Sequence, residues 1–103
     1  MAKIVKISKE EANRRLGDVP DEKCFWCNDG KLIKNPGELE KALNDMSDET
    51  FRYHSGEGRN DFSNWIRDVV GDDKLARDLS KAKSRIQASK AVSQRLSFLR
   101  NKI

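Results

Sequence analysis

The sequence predicts an α+β fold that is mostly helical, with a short N-terminal strand and a β-hairpin packed on several short helices, and a long basic C-terminal helix. Three features support this prediction: apolar residues at helical spacing between residues 39 and 79, a hairpin pattern over residues 24–34, and a C-terminal segment of good helix formers without Pro or Gly. The length of 103 residues suits a single hydrophobic core.

The first predicted elements are a strand and a short helix. Ile4, Val5 and Ile7 form a β-prone segment. Ser8, followed three residues later by Glu11, has the pattern of a capping box. This pattern predicts a helix that begins after Ser8 and ends near Gly17.

Residues 24–34 have the pattern of a β-hairpin: the stretch Cys-Phe-Trp-Cys, the turn Asn-Asp-Gly and the stretch Lys-Leu-Ile-Lys. Successive side chains of a strand point to opposite faces, so either Phe25 or Trp26 is expected to face outward. This position is the one where the sequence predicts an exposed aromatic side chain. Such a side chain marks either a base-stacking site or a protein interface.

Four helices are predicted between residues 35 and 79. Asn35 as N-cap and Pro36 at the first position open the first of them. The second begins near residue 47 and ends at His54, before a glycine-containing loop, and the third and fourth begin near residues 60 and 72. The apolar side chains expected to face the core are Leu39, Ala42, Leu43, Met46, Phe51, Phe62, Trp65, Ile66, Val69, Leu75 and Leu79.

The C-terminal part of the chain carries two apolar stripes that do not align. The first contains Leu75, Leu79, Ala82 and Ile86, and the second contains Val92, Leu96, Leu99 and Ile103. At helical periodicity the second is turned from the first by roughly a quarter circle. This predicts one helix that leaves the core, or two helices with a joint near residues 87–91. The second stripe then needs a surface, provided by the rest of the chain, by a second copy or by a partner.

Charge is distributed unevenly along the chain. Residues 1–79 contain 14 basic and 17 acidic residues, a net charge of −3, whereas residues 80–103 contain seven basic and no acidic residues, a net charge of +7. We therefore expect a compact acidic body over residues 1–79 and a basic helical extension over residues 80–103. A cationic extension binds phosphates or an acidic protein surface. Alternatively its cations pair with the body, where Asp72, Asp73 and Asp78 are close in sequence.

The predicted function is that of a non-enzymatic, nucleic-acid-associated binding protein. RNA or a ribonucleoprotein is favoured over duplex DNA, because the cations spread around the helix axis instead of lining one face. The expected nucleic-acid-binding residues are Lys81, Lys83, Arg85, Lys90, Arg95, Arg100 and Lys102. The alternative is a protein-interaction or dimerisation module, whose interface residues are Val92, Leu96, Leu99 and Ile103.

Other classes of protein fit the sequence less well. No apolar run approaches the roughly 20 residues of a membrane span. The first residues alternate charged and apolar types and lack the apolar core of a signal peptide. We expect a small basic cytoplasmic protein that has no membrane partner and needs no cofactor. We predict no catalytic residue, because the sequence lacks a recognisable nucleophile and a Gly-rich phosphate loop.

Cys24 and Cys27 have the spacing of a metal or redox pair, with His54 as a further potential ligand. One pair supplies two of four ligands, and positions i and i+3 of a strand point to opposite faces. We therefore expect structural cysteines and no metal. His54, Asn60 and Asp61 are candidates for general-base chemistry. We interpret them instead as a polar network, in which Asn60 or Asp61 caps a helix and His54 satisfies carbonyl groups at the end of its own helix.

Residues 51–79 contain Phe-Arg-Tyr-His, then Asn-Asp-Phe-Ser-Asn-Trp-Ile-Arg-Asp-Val, then Gly-Asp-Asp-Lys-Leu-Ala. With the hairpin, this segment resembles a small domain family of unknown function found in archaea and some bacteria. Its members combine an aromatic hairpin ending in Asp-Gly, a Leu-rich helix, a His and an Asn-Asp-Phe-x-x-Trp helix. The resemblance covers residues 24–79 and implies a shared fold and an archaeal origin, but no activity. The family's His is usually followed by Val-Asn, where this chain has Ser55 and Gly56.

Overall fold

The computed structural model of the protein describes residues 7–56 and 58–103. Over these residues the fold is α+β and mostly helical, as predicted, with two small antiparallel hairpins. The helices are α1 (Lys9–Leu16), α2 (Pro36–Asp45), α3 (Asp48–His54), α4 (Asp61–Trp65), α5 (Asp73–Lys81) and α6 (Arg85–Arg100). The strands are β1 (Phe25–Trp26), β2 (Leu32–Ile33), β3 (Ser55–Gly56) and β4 (Arg59–Asn60). No described helix has the length and apolar character that crossing a membrane requires.

Helix α1 begins where the capping box places it. The Ser8 hydroxyl accepts a hydrogen bond from the Glu11 backbone N–H at 3.1 Å, and the helix stops before Gly17. The carboxylate of Glu11 does not reach back to the cap, because it binds the guanidinium groups of Arg14 and Arg15 at 2.6 and 2.7 Å. Most of the predicted N-terminal strand, Ile4 and Val5, lies outside the described residues, and Ile7 has no regular secondary structure.

The first hairpin pairs Phe25 with Ile33 and Trp26 with Leu32. Gly30 has a φ of 92°, a left-handed conformation that the tight turn requires and that glycine adopts without a Cβ clash. Phe25 and Ile33 face the core, whereas the Trp26 side chain is 71% exposed. The predicted alternation is therefore confirmed, and Trp26 is the outward-facing aromatic of the strand.

The helical stripes predicted between residues 39 and 79 lie in one core. All of the predicted inward positions are buried apart from Val69, which is half-buried. Asn35 caps α2 by accepting from the Glu38 N–H at 2.8 Å, and Ser47 caps α3 by accepting from the Thr50 N–H at 3.0 Å. Local capping and apolar periodicity were thus sufficient to locate these helices.

A π-helical turn (Ile66–Val70) continues directly from α4. It ends at Gly71, whose φ of 81° turns the chain so that the N–H groups of Gly71 and Asp72 both donate to the Ile66 carbonyl, at 2.7 and 3.1 Å. The Val70 carbonyl accepts from the Arg14 guanidinium at 3.0 Å. This junction therefore connects α1 to the start of α5.

The C-terminal segment forms part of the core instead of projecting from it. Helix α5 ends at Lys81, and Ser84 caps α6, so the joint lies at residues 82–84 and not at residues 87–91. Helix α6 packs against α1, α2 and α5. Of the two alternatives, one helix that leaves the core is wrong, because two helices form and the second apolar stripe is covered by the chain itself. The first stripe is interrupted at Ile86, which is 59% exposed.

Candidate nucleic-acid interface

The structure separates the seven cations of the C-terminal segment into two groups. Arg95 is 9% exposed and forms a bidentate ion pair with Asp72, with Nε–Oδ2 and Nη2–Oδ1 distances of 2.8 and 3.0 Å. Arg85 donates to the Leu43 carbonyl at 2.8 Å and to the Asp48 carboxylate at 3.1 Å. These two side chains hold α6 against the body, so their expected role as exposed phosphate contacts is corrected. For Arg85 and Arg95, the alternative prediction that the cations pair with carboxylates of the body describes the structure better.

The remaining cations lie on the surface. Lys81, Lys83, Lys90, Arg100 and Lys102 are exposed. Among the described residues, none of these five has a carboxylate within the 4.0 Å of a salt bridge. The guanidinium group of Arg100 lies beside Gly37, at the start of α2. Of the other four, Lys81 is the last residue of α5, Lys83 lies in the joint before α6, Lys90 lies within α6 and Lys102 lies after it.

The four residues predicted as a partner interface do not form one surface. Val92, Leu96 and Leu99 are fully buried within the chain's own core, so they are not available to a second molecule. Ile103 is 52% exposed and is the one member that a partner can reach. The second stripe is turned from the first because the chain forms a separate helix, α6, after the joint at residues 82–84, and α6 presents its own side to the core.

A cleft of about 670 Å³ lies between α1, α5 and α6. Its volume falls in the roughly 300–1,000 Å³ range of ligand pockets. The polar and aromatic side chains that line it are Arg15, Asp73, Lys74, Arg77, Asp78, Gln94, Arg95 and Phe98. Apart from Arg95, sequence reasoning did not identify this set as a binding site. The one available signal was the spacing of Lys74, Arg77 and Lys81, which places three cations along one side of α5.

Most cations of the cleft already have a carboxylate partner. Asp72 is 1% exposed and binds both Arg95 and Arg15, the latter at 3.3 Å. Lys74 binds Asp78 at 2.6 Å. Arg77 is exposed and has no carboxylate partner among the described residues. Arg77 therefore provides the least compensated positive charge of the cleft.

Phe98 lies at the edge of the cleft on the outer side of α6 and is 41% exposed. The Arg95 guanidinium carbon and the Lys102 ammonium nitrogen are each 4.9 Å from the centroid of its ring. The sequence prediction of one exposed aromatic missed Phe98 and also Tyr53, which is 52% exposed. An aromatic in a helix faces solvent or core according to the helix packing, which the sequence did not define for α6.

His54 forms a second polar cluster where α3, the first hairpin and α4 meet. Its Nε2 accepts from the Asn28 backbone N–H at 2.9 Å, and its Nδ1 lies 2.9 Å from Asp61 Oδ2. Because a backbone N–H can only donate, Nδ1 carries the ring proton and donates it to Asp61. Burial raises the pKa of Asp61, but hydrogen bonds from Arg59 and His54 outweigh this and leave the pKa below its ordinary value.

His54 therefore links α3 to the first hairpin, through Asn28, and to α4, through Asp61. The expected contact with carbonyl groups at the end of its own helix is not made, since both ring nitrogens are engaged elsewhere. Asn60 does cap α4, accepting from the Ser63 N–H at 2.9 Å, and its amide donates to the Leu79 carbonyl at 3.0 Å. The predicted polar network therefore joins the hairpin, α3, α4 and α5.

Cys24 and Cys27 are free thiols and both are buried. Burial and the nearby Asp21 carboxylate raise the pKa of the Cys24 thiol, and burial raises that of Cys27. Within the described part of the chain, no group of three His, Cys, Asp or Glu side chains is arranged to hold a metal ion. Because buried thiols with raised pKa values form little thiolate, we expect both cysteines to react slowly.

No protein-family model, curated protein or solved structure matches the chain. The resemblance of residues 24–79 to the His and Asn-Asp-Phe-x-x-Trp domain family therefore stays a prediction. Its conspicuous residues are in contact in the fold. The ring centroids of His54 and Phe62 are 5.3 Å apart. Trp65 donates its indole N–H to the Lys23 carbonyl at 2.8 Å.

Proposed function

We propose that the chain is a non-enzymatic, nucleic-acid-associated binding protein that contacts RNA or a ribonucleoprotein through the outer surface of α5 and α6. We define the α5–α6 surface by its exposed cations and the residues between them. It consists of Lys74, Arg77, Lys81, Lys83, Lys90, Gln94, Phe98 and Lys102. The observation that carries the proposal is that five of its six cations have no carboxylate partner among the described residues, Lys74 being the exception.

Exposed cations without a carboxylate partner support nucleic-acid binding more than a role in holding the fold together. Lys and Arg that neutralise phosphates release counterions, which gives an affinity that falls steeply with salt concentration. A cation paired with a carboxylate gains much less, because the phosphate must compete with the existing partner. We therefore expect the largest contribution from the five cations without such a partner, of which Lys81, Lys83 and Lys90 lie outside the cleft and are replaced in the test below.

The experiment is a titration of labelled mixed-sequence RNA with the full chain and with Lys81→Glu/Lys83→Glu/Lys90→Glu. The matched control is Lys23→Glu/Lys41→Glu/Arg52→Glu, which changes the net charge equally at exposed positions elsewhere. We expect the first variant to lose binding and the control to retain most of it. Three lost phosphate contacts should also lower the slope of log K against log salt by about 2.

Two outcomes would contradict the proposal. In the first, the wild-type chain shows no salt-dependent binding to RNA; in the second, the two triple variants lose the same affinity, as a net-charge effect requires. Arg85 and Arg95 are left out of the variant because their replacement removes contacts that hold α6. Loss of binding in such a variant would report unfolding instead of a lost phosphate contact.

The second candidate function is a protein-interaction module, favoured by exposed apolar side chains on and after α6. Ile86 and Ile103 are 59% and 52% exposed. Light scattering on the wild type and on Ile86→Asp/Ile103→Asp tests self-association without disturbing the core. A dimer that becomes a monomer in the variant supports this function. A monomer in both cases rules out dimerisation through these residues.

A further inference from the structure

We infer that the cleft between α1, α5 and α6 binds unpaired RNA and that one base stacks on Phe98. This inference rests on the proposed function and specifies the ligand class of the same surface. It depends on the arrangement of two rows of side chains, on the exposure of Phe98 and on the packing of α6. Proteins that bind single strands combine a positively charged groove with aromatic rings on which bases stack.

The two walls of the cleft carry different chemistry. On the α5 wall, Lys74 and Arg77 line the cleft one turn apart, and Lys81 continues the same side of the helix beyond it. On the α6 wall, Gln94 and Phe98 line the cleft, and Lys90 and Lys102 extend the same row outside it at intervals of four residues. At a rise of 1.5 Å per residue the helical part of this row, from Lys90 to Phe98, extends over about 12 Å. A strand lying in the cleft thus meets cations and carboxylates on the α5 wall, an amide and a ring on the α6 wall, and further cations just outside the cleft.

Phe98 is suited to stacking because its ring is at the edge of the cleft and 41% exposed. The Arg95 guanidinium group is held by Asp72, so its position near the ring is maintained by a buried ion pair. Lys102 lies beyond the end of α6 and is exposed. Its contact with the ring is therefore at the surface, where a base can replace it and leave the ammonium group to a phosphate.

The acidic residues of the cleft set a limit on phosphate binding. Asp73 and Asp78 both line it, and Asp78 binds Lys74 at 2.6 Å. A phosphate on the α5 wall is therefore expected beside Arg77 and Lys81 and not at the Asp73 end. Removal of these two negative charges should strengthen RNA binding, whereas replacement of any of the cations should weaken it.

Duplex nucleic acid fits this surface poorly. The bases of a duplex are stacked inside it, and the major groove of an RNA duplex is too deep and narrow for side chains to read. The Phe98 ring, on the outer side of α6, therefore meets no free base in a duplex. Unpaired RNA has bases that are free to stack on an aromatic ring, which is how single-stranded loops and ends are usually recognised.

The test compares Phe98→Ala with Tyr53→Ala, which truncates an exposed aromatic side chain of α3 outside the cleft. The probes are a 12-nucleotide unpaired RNA, the DNA strand of the same sequence and an RNA duplex, each measured by fluorescence anisotropy. We expect Phe98→Ala to bind the unpaired RNA about 5- to 150-fold more weakly, the range for loss of one stacked base. Tyr53→Ala should bind as the wild type does, and Asp73→Asn/Asp78→Asn should bind more tightly.

The outcomes separate this inference from the proposed function. If Phe98→Ala binds unpaired RNA as the wild type does while the lysine variant fails, stacking is refuted and the basic surface stands. If the wild type prefers the duplex, the single-strand assignment is refuted. If the DNA strand binds as tightly as the unpaired RNA, the cleft does not select RNA, and the assignment of RNA as the ligand is refuted. If no probe binds the wild type, the proposed function fails together with the inference.

Discussion

Replacement of Asp72 by Asn should destabilise the fold more than any other single isosteric change of an acidic residue in this region. The Asp72 carboxylate is 1% exposed, binds Arg95 at 2.8 and 3.0 Å, lies 3.3 Å from Arg15 and caps α5 by accepting from the Leu75 N–H at 3.2 Å. Asparagine retains the shape and a capping oxygen but leaves the Arg95 guanidinium buried without a counter-ion. Breaking a buried pair in this way costs about 3–5 kcal/mol.

This loss is a large part of the total free energy of unfolding of a small domain. Domains of this kind are stable by about 5–15 kcal/mol, so the loss amounts to a third or more of the total in most of that range. Asp72→Ala removes the cap as well and should cost about 1 kcal/mol more. By contrast, Asp72→Asn/Arg95→Met leaves no buried unpaired charge and should be more stable than Asp72→Asn alone. Arg15 keeps a partner in both cases, because Glu11 binds it at 2.7 Å.

Urea unfolding followed by the fluorescence of the buried Trp65 measures these differences. Asp73→Asn is the matched control, since the neighbouring carboxylate is exposed and its loss should change stability by no more than about 0.5 kcal/mol. The reasoning is refuted if Asp72→Asn lies within about 1 kcal/mol of the wild type, or if the double variant loses the full sum of the two single variants.

Three further predictions follow from other clusters. His54→Ala should lower the free energy of unfolding by about 2–4 kcal/mol, because it leaves a cavity and removes the acceptor of the Asn28 N–H. Hydrogen exchange at Asn28 should therefore become faster in this variant, and an unchanged exchange rate would contradict this. Hydrogen bonds from Arg14 and Arg15 lower the pKa of Glu11 from 4.5 to about 2. Its contribution is therefore fully present above pH 4.5 and is lost as the pH falls towards 2, a loss that should be absent from acid titrations of Glu11→Gln. Cys24 and Cys27 should react with a thiol reagent slowly in the native chain and rapidly in urea; fast native labelling would contradict their burial and raised pKa values.

Much of the local structure was accessible from the sequence because its causes are local. Ser8, Asn35 and Ser47 cap helices by hydrogen bonds to backbone N–H groups three residues later. Gly30 forms the turn that its Asn-Asp-Gly context predicts, and period-two alternation separates Phe25 from Trp26. Each of these features depends on residues within one turn or one hairpin.

The candidate site was only partly accessible, because it is assembled from α1, α5 and α6. Residue counting located the basic segment but could not distinguish Lys90, which is exposed, from Arg95, which is buried. The sequence offered Asp72 as a partner for these cations, but it could not single out Arg95 among them or place Arg15 beside the pair, since Arg15 is far away along the chain. The exposed ring of Phe98 likewise depends on which face of α6 meets the body.

By itself, the sequence determined the fold class, the positions of most helices and the excess of positive charge after residue 79, since these follow from composition, periodicity and local hydrogen bonding. The tertiary structure decided what the last helix does with its charges and its apolar stripe. It covers Val92, Leu96 and Leu99, and it neutralises Arg95 with Asp72. The physical reason is that burial and ion pairing depend on surfaces brought together from distant parts of the chain, which no local pattern encodes.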